Sequence, residues 1–491
     1  MKHLDGACHQ ALMIRTGALL LAAVALAALP GCNVGPKYTR PTYPTAPAFR
    51  GADDSQVKSD TQASLGDERW SEVFKEPELQ ELIGTALANN YDVRVAVQHV
   101  LEQEAQVRIT RAAQFPTLSV GGTGLGASFP SSTLGNGSGS SGSSSSGIKS
   151  PIYEGSFNLS AAWTPDFWGL YRKQTEEARA QLLSQTWAQR AVRMTLVQDV
   201  VTDYLELRAL DAQLVLTQQT VQVREQSLKL TQTLEQGGNS PLSDVRQAQE
   251  NLYTATAEIP QLEQQIEQEE NAINLLLGRT PGSIERHATQ VLAPPPQDLP
   301  VGIPSQLLER RPDIVEAEQQ LIQANLAIGV ARAEFFPSLT INVSTGPGGD
   351  TFGSLFSASN NLTTYGYGSL AQPLFEGGKL KGQLALAKAD DQEMVLTYQK
   401  TILSAFKDVS NALIASKKER EYREQEEKLV AAAQDSTRLA RMRYQAGSTS
   451  YLEVLTTDTT LYSDELTLIS AQQSEALTLV QLYSALGGGW Q

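Results

Sequence analysis

The chain is written twice. Asp199-Val200 returns as Asp408-Val409, Gly238–Val245 (GNSPLSDV) as Gly447–Val454 (GSTSYLEV) and Leu277-Gly278 as Leu486-Gly487, all 209 residues apart. Upstream, Pro165-Asp166-Phe167-Trp168-Gly169 returns as Pro373-Leu374-Phe375-Glu376-Gly377 at an offset of 208, and Phe115-Pro116 as Phe336-Pro337 at 221. A repeat of this length means that one supersecondary unit is used twice, each copy burying surface against the other. The change of offset locates an insertion in the first copy, where Pro116 to Pro165 spans 49 residues against 36 from Pro337 to Pro373. The extra residues coincide with SSTLGNGSGSSGSSSSG at 131–147, a composition that predicts a solvated loop. Each copy reads as helix, strand, loop, strand, long helix, turn, long helix. The first spans 70–278 and the second 305–491, joined by a connecting segment at 279–304.

Strand chemistry falls at about 116–128, 153–164, 337–346 and 363–373. Phe157, Leu159, Ala161 and Trp163 alternate with polar or small residues, as do Leu339, Ile341 and Val343, while Leu118/Val120 and Tyr365/Tyr367 are weaker partners. Segments of about ten residues with a period of two suit a membrane strand between lipid and a wet lumen. Two half-buried hairpins in a soluble protein fit the alternation equally well. Four strands cannot close a lumen-bearing barrel, so the membrane reading requires an oligomer. Helical hairpins are predicted over 170–278 and 376–486. Their first arms, 170–236 and 376–445, lack proline and are rich in Gln, Glu, Ala and Leu, and each would run about 100 Å if continuous. Leu214, Val221 and Leu228 recur every seven residues, and so do Leu216, Val223 and Leu230. The two columns lie about 200° apart, which gives the helix neighbours on both sides, in a helical cylinder or in an ordinary bundle. Pro260 is expected to interrupt the return helix with a kink.

The 54 Asp and Glu against 39 Lys and Arg leave a net charge of −15, which repels phosphate backbones and argues against a nucleic-acid partner. Cys8 and Cys32 are the only cysteines, and two of the four histidines are His3 and His9, so disulfide frameworks, zinc clusters and thiol redox chemistry are excluded in practice. Residues 17–29 (GALLLAAVALAAL) form an apolar run behind Arg15, too short to span a membrane and placed as a secretory signal at 1–31. Translation starts at Met1 or at Met13. Leu29-Pro30-Gly31-Cys32 resembles a bacterial lipobox, with Pro30 an unusual residue before the glycine. Cys32 would then carry a covalent lipid, palmitate included, and 32–69 would be a lipid-anchored segment. An ordinary cleaved signal with an incidental cysteine is the alternative. Asn33, in place of Asp, resembles the lipoprotein pattern for outer-membrane sorting.

Enzyme chemistry has no constellation to stand on. His99 and His287 lack second ligands nearby, and the glycine runs at 121–124 and 346–349 lack a following Lys-Ser/Thr. The two turns stand out instead. Gln236–Asp244 and Ala446–Glu453 each end one helix with Gly and begin the next with Ser and an acid, roles that φ > 0, capping and the helix dipole explain without a partner. Paired small, exposed residues at the end of a long rod also suit a docking ring.

With these residues in place the chain resembles the TolC-like outer-membrane factors of tripartite efflux pumps, in their lipoprotein (NodT/OprM-type) branch. The resemblance is carried by Gly35–Pro41 (GPKYTRP), Trp70–Leu87, Leu276–Arg279 (LLGR), Ile303–Ser305 with Arg310–Ile314 (RRPDI), Ala331–Ser338 (ARAEFFPS), Gln372–Gly378 (QPLFEGG) and Leu486–Trp490 (LGGGW). It implies an α+β membrane protein: a trimeric 12-stranded β-barrel, four strands per subunit, continued by a long α-helical periplasmic barrel. It further implies a homotrimer in the bacterial outer membrane, lipid-anchored and extending into the periplasm, with no cofactor beyond the lipid on Cys32. The partners implied are a periplasmic adaptor (membrane fusion protein) and an inner-membrane pump of the RND type. By the same resemblance the turns at Gly238, Ser240, Leu242, Gly447, Ser450 and Tyr451 dock the adaptor. Leu452, Glu453, Thr456 and, in the first copy, Asp244 form a periplasmic gate, although Thr456 lacks the expected Asp and so weakens a double acidic ring. The function expected is passive conduction of drugs or other small compounds. The rival readings are a polypeptide secretion duct, a periplasmic coiled-coil adaptor and an extracellular enzyme. Five methionines without a cluster give no support to a copper relay.

Overall fold

The computed structural model describes residues 34–44, 49–51, 64–127, 152–286, 294–296, 300–349 and 362–490. The expected signal segment at 1–31, Cys32, the Gly/Ser-rich stretch at 131–147 and His287 lie outside them. In chain order the main elements are α1 (Pro77–Asn89), α2 (Tyr91–Ala112), β1 (Thr117–Ala127), β2 (Ile152–Trp163), α3 (Leu170–Gln236), α4 (Leu242–Leu276), α5 (Pro312–Ala333), β3 (Ser338–Gly349), β4 (Leu362–Ala371), α6 (Lys379–Gln445) and α7 (Tyr451–Ala485). The repeat is reproduced to the residue. Helices α2 and α5 have 22 residues each, α3 and α6 have 67, and α4 and α7 have 35.

The chain forms two compact units. The first contains Glu104–Gln181 and Leu321–Glu393, and with them the whole sheet. Its strands are antiparallel in the order β1-β2-β3-β4. Thr117 pairs with Ala162 and Ser338 with Ala371, so the sheet sets β2 and β4 at an offset of 209, one more than the Pro165/Pro373 match. The second elbow is one residue shorter after the strand and recovers it with Gly378, which follows Gly377 with a second positive φ (59° and 93°) where the first elbow has Gly169 alone (80°).

Register sorts the side chains. Val120 lies opposite Leu159, Ala161 opposite Val343, Trp163 opposite Ile341 and Leu339 opposite Leu370, which collects the aliphatic residues on one face. The other face carries hydroxyls in contact across strands, Thr123 with Ser156 (2.7 Å) and Ser160 with Ser344 (3.2 Å). Tyr365 and Tyr367 lie opposite Ser344 and Asn342, so both tyrosines belong to the polar face. Leu118, Val120 and Leu370 on the apolar face are 72–77% exposed, far more than a sheet in water tolerates over such a stretch.

The second unit holds Arg40–Gln103, Leu182–Gln320 and Met394–Gln491. Its core joins Ile83 of α1, Tyr204 and Leu207 of α3, Ile273 and Leu277 at the end of α4, and Leu482 and Leu486 at the end of α7, all under 2% exposed. Conserving charge balance inside this core falls to arginines. Arg286 grips Asp211 through two hydrogen bonds (2.6 and 2.9 Å) and reaches Glu270. Arg311 donates to Asp313, to Asp408 and to the Ala485 carbonyl at the end of α7. The segment ahead of α1 is held as well, because Arg40 meets Glu318 (2.8 Å), the Leu308 carbonyl and Tyr398.

Two expectations are corrected. The six residues of the apolar seams on α3 are only half-buried; the most buried column between them is polar, Thr217, Arg224 and Thr231 at 0–3% exposure, again seven apart. Helix α4 runs unbroken through Pro260, because burial of Ala255, Leu262 and Ile266 on either side holds the backbone where one hydrogen bond is missing.

Candidate functional site

Both hairpin turns are built from the same backbone device. At the end of α3, the Asn239 N–H reaches the Leu234 carbonyl (2.8 Å) and the Gly238 N–H the Glu235 carbonyl (2.9 Å). At the end of α6, Ser448 reaches Arg443 (2.9 Å) and Gly447 reaches Tyr444 (2.9 Å). These are paired Schellman caps with the glycine left-handed, φ +73° at Gly238 and +71° at Gly447. A Cβ at either position would meet no atom within 4 Å, so glycine is required for its φ and not for space.

The following helices begin differently from the serine capping expected. The N-caps are Pro241 and Ser450, and neither side chain caps the helix. The hydroxyl one residue earlier binds the carboxylate one turn inside: Ser240 Oγ donates to Asp244 (2.8 Å) and Thr449 Oγ1 to Glu453. The two pairs are again 209 apart. Glu453 also accepts from Arg443 (2.6 Å), so its charge is balanced within the turn.

Of the residues expected at the tips, Gly238, Leu242, Gly447 and Ser450 are exposed and Ser240 is half-buried. Tyr451 is 2% exposed and is not a surface residue. Its ring packs on Tyr444 (centroids 5.5 Å apart) in a small core with Ala248, Ala440 and Val454, and burial pushes its phenol upward in pKa. An aromatic ring at the first position of a helix is drawn inward by the apolar area it can bury. Leu452, in contrast, is 59% exposed, and the exposed Thr456 lies one turn beyond it, bonded to the Leu452 carbonyl (2.8 Å).

One cluster behind the turns has no forerunner among the residues singled out in sequence. Asp458 of α7 accepts from Arg224 of α3 (3.1 Å), Arg441 of α6 (2.5 Å) and Asn251 of α4 (3.4 Å). Arg224 is 3% exposed, donates to the Asn251 carbonyl (2.8 Å) and lies 5.1 Å from the centre of the Tyr462 ring. The Tyr462 hydroxyl continues the network to Glu258 and Thr217 (both 2.9 Å). All four long helices thus meet at one carboxylate. The polar column on α3, Thr217, Arg224 and Thr231 at a spacing of seven, is the available signal. His99 is exposed and meets only Glu102 (3.3 Å), and the described residues hold no group of three His, Cys, Asp or Glu placed for a metal ion.

Removing the charge at the node leaves two arginines with their partner lost. Asp458→Asn should therefore cost about 3–5 kcal/mol locally, read as faster amide hydrogen exchange in 217–231 and 451–462. Asp435→Asn, which breaks only the exposed pair with Arg438, should leave exchange unchanged.

The family model for outer membrane efflux proteins matches residues 82–279 and 303–488, two blocks whose starts differ by 221 and whose ends by 209, as the repeat does. The chain is 34% identical over 475 residues to the probable efflux pump outer membrane protein TtgC of Pseudomonas putida, covering 97% of this chain and 96% of that one. It is 32% identical over 474 residues to the cation efflux system protein CusC of Escherichia coli, covering 96% and 99%. A crystal structure of a membrane protein from Pseudomonas aeruginosa superposes with a TM-score of 0.82 at 29% identity, covering 93% of this chain and all of that one. The chain therefore belongs to the outer membrane efflux protein family, and is the outer-membrane channel of an efflux system.

Proposed function

We propose that three copies of the chain close into one duct that passively carries drugs or other small compounds from an inner-membrane pump of the RND type, by way of a periplasmic adaptor, to the exterior. The observation that carries this reading is the sheet, whose aliphatic face is bare and whose edges β1 and β4 lack partners among the described residues, so that closure falls to further copies. Relatives of nearly equal identity are named for a cation and for an unspecified cargo, which fits a duct whose selectivity resides in the pump. Cys32 carries the lipid that anchors the mature N-terminus. The turns dock the adaptor, and Leu452 with Thr456, on the exposed stripe of α7, narrows the periplasmic mouth, with Glu453 and Asp244 beside it.

Leu452→Ala should raise single-channel conductance in planar bilayers, because an apolar ring opposes wetting. Arg443→Ala, by releasing the Glu453 carboxylate from its partner, should raise cation over anion selectivity. Conductance at the wild-type level in Leu452→Ala would move the constriction elsewhere.

Replacing Gly238 or Gly447 with a bulky residue should lower adaptor cross-linking at the turns and raise drug susceptibility, with oligomer abundance followed in parallel because left-handed φ at a non-glycine costs about 1 kcal/mol or more. Unchanged cross-linking at both turns would remove them from the docking surface.

Cys32→Ser should abolish incorporation of labelled fatty acid while the sheet still inserts. Label retained in the variant would refute the lipid assignment.

A further inference from the structure

Where β2, β3 and β4 meet their helices, three elbows of the first unit enclose a cavity of about 510 Å³, a size that takes a drug-like molecule. Its lining comes from 164–171, leading from β2 into α3, from 333–338, leading from α5 into β3, and from 371–383, leading from β4 into α6. The register of the sheet sets the side on which it opens. Ser338 shares the parity of Thr340, Asn342 and Ser344, Ala371 lies opposite Ser338, and Thr164 Oγ1 lies 3.3 Å from Thr340 Oγ1. Ser338, Ala371 and Thr164 therefore belong to the polar face, and the cavity lies on the side of the hydroxyls, away from the aliphatic residues.

The wall is aromatic. Trp168 stacks on Phe336 with ring centres 4.8 Å apart, and its one N–H donates to the Pro337 carbonyl (2.8 Å), so the indole has only its π-face left to offer. Gln372 likewise commits its amide to the carbonyls of Phe335 and Pro373 (3.0 and 3.1 Å).

The charged groups sort in the same direction. Asp166 is held by Arg172 (3.4 Å), and Lys379, the cation of the lining, by Glu376 (3.7 Å). Glu334 is half-buried and enters no ion pair among the described residues. Gln383 Oε1 is enclosed and accepts no hydrogen bond, a desolvation cost that an incoming N–H would offset. The cavity thus has a π-face, a carboxylate and an amide oxygen to give, which attract positive charge and N–H donors.

We propose that this cavity binds a planar organic cation bearing amino groups, its ring laid on Trp168, its charge beside Glu334 and an N–H donated to Gln383 Oε1, as a resting place for cargo inside the duct. The proposal rests on the reading of the chain as a duct and names the cargo class for which the duct itself has affinity. Such cations pause there while neutral and anionic compounds pass, so selection remains with the pump. A lipid ammonium headgroup carries the same charge and donors, but its acyl chains belong against the aliphatic face, on the other side of the sheet.

Ethidium and the purified full-length oligomer test it. Ethidium fluorescence in detergent should rise to saturation at one site per chain. Glu334→Gln should weaken binding about tenfold and Gln383→Leu should weaken it as well, both with the oligomer band of unheated samples kept, whereas Asp435→Asn, exposed in the second unit, should leave it unchanged. In planar bilayers ethidium should interrupt the single-channel current of the wild type, and the interruptions should shorten in Glu334→Gln. No saturable binding, or equal binding by wild type and both variants, in channels that conduct normally would overturn the site and leave the duct standing. Binding without interruptions would put the cavity off the conduction path and overturn the proposal, as would binding lost in phosphatidylethanolamine bilayers and kept in phosphatidylcholine, which would assign the cavity to a headgroup. A chain that binds ethidium through Glu334 yet conducts nothing would overturn the duct reading and leave the site.

Discussion

A four-stranded sheet with an exposed aliphatic face and two unpaired edges is a structure that hydrocarbon cannot hold alone. Each unpaired backbone N–H or C=O in lipid costs several kcal/mol, and β1 and β4 present ten or more residues each along those edges. Everything in the first unit is consistent with an edge that must meet its complement. The strands are of nearly equal length, the aliphatic residues share one face, and the hydroxyl pairs Thr123–Ser156 and Ser160–Ser344 lie on the other. A membrane channel made by one short sheet per subunit thus transfers its closure from the chain to the assembly.

The helices solve a different problem. A 67-residue helix with two apolar seams has no unique axial position against its neighbours, since a slide by one heptad restores much of the packing. The polar column on α3 removes that freedom. Arg224 has one carboxylate to reach, Asp458, and the same carboxylate is claimed from α6 by Arg441 and from α4 by Asn251. Burying such a node gains little net stability, but any slip of register leaves a charge unpaired, at a cost of several kcal/mol. The node stands directly behind the turns, where Tyr444 and Tyr451 pack a small apolar cluster with Ala248, Ala440 and Val454. A turn supported in this way presents its glycines and Leu242 and Leu452 in one geometry, which a docking or gating surface requires.

Much of this was open to a reader of the residues. Periodicity of two located all four strands to within three residues at each end, because lipid and lumen impose opposite chemistries on alternate positions. The left-handed glycines of the turns were legible for a local reason: a helix end needs φ > 0 irrespective of its surroundings. Tyr365 and Tyr367 mark a strand without fixing its face, because tyrosine satisfies either one; pairing puts them with Ser344 and Asn342. Tyr451 follows a turn, a place that suggests exposure, and the neighbouring helices draw it inward. Pro260 carries a certain local cost to a helix, whereas the packing that overrides it is not local.

The sequence by itself determined what depends on short spans of backbone and on the repeat: element types and lengths, the turn glycines, the two-fold internal plan and the family. Only the tertiary structure decided which ionisable groups meet. Arg224 and Asn251 stand 234 and 207 residues from Asp458 and Arg441 stands 17 from it across a turn; the four carry no shared motif, and their pairing follows from the azimuth and axial position of four helices at once. Spacing along a chain encodes a face; it does not encode which face of which neighbour is opposite, and that is settled when side chains of complementary size and charge compete for the same volume.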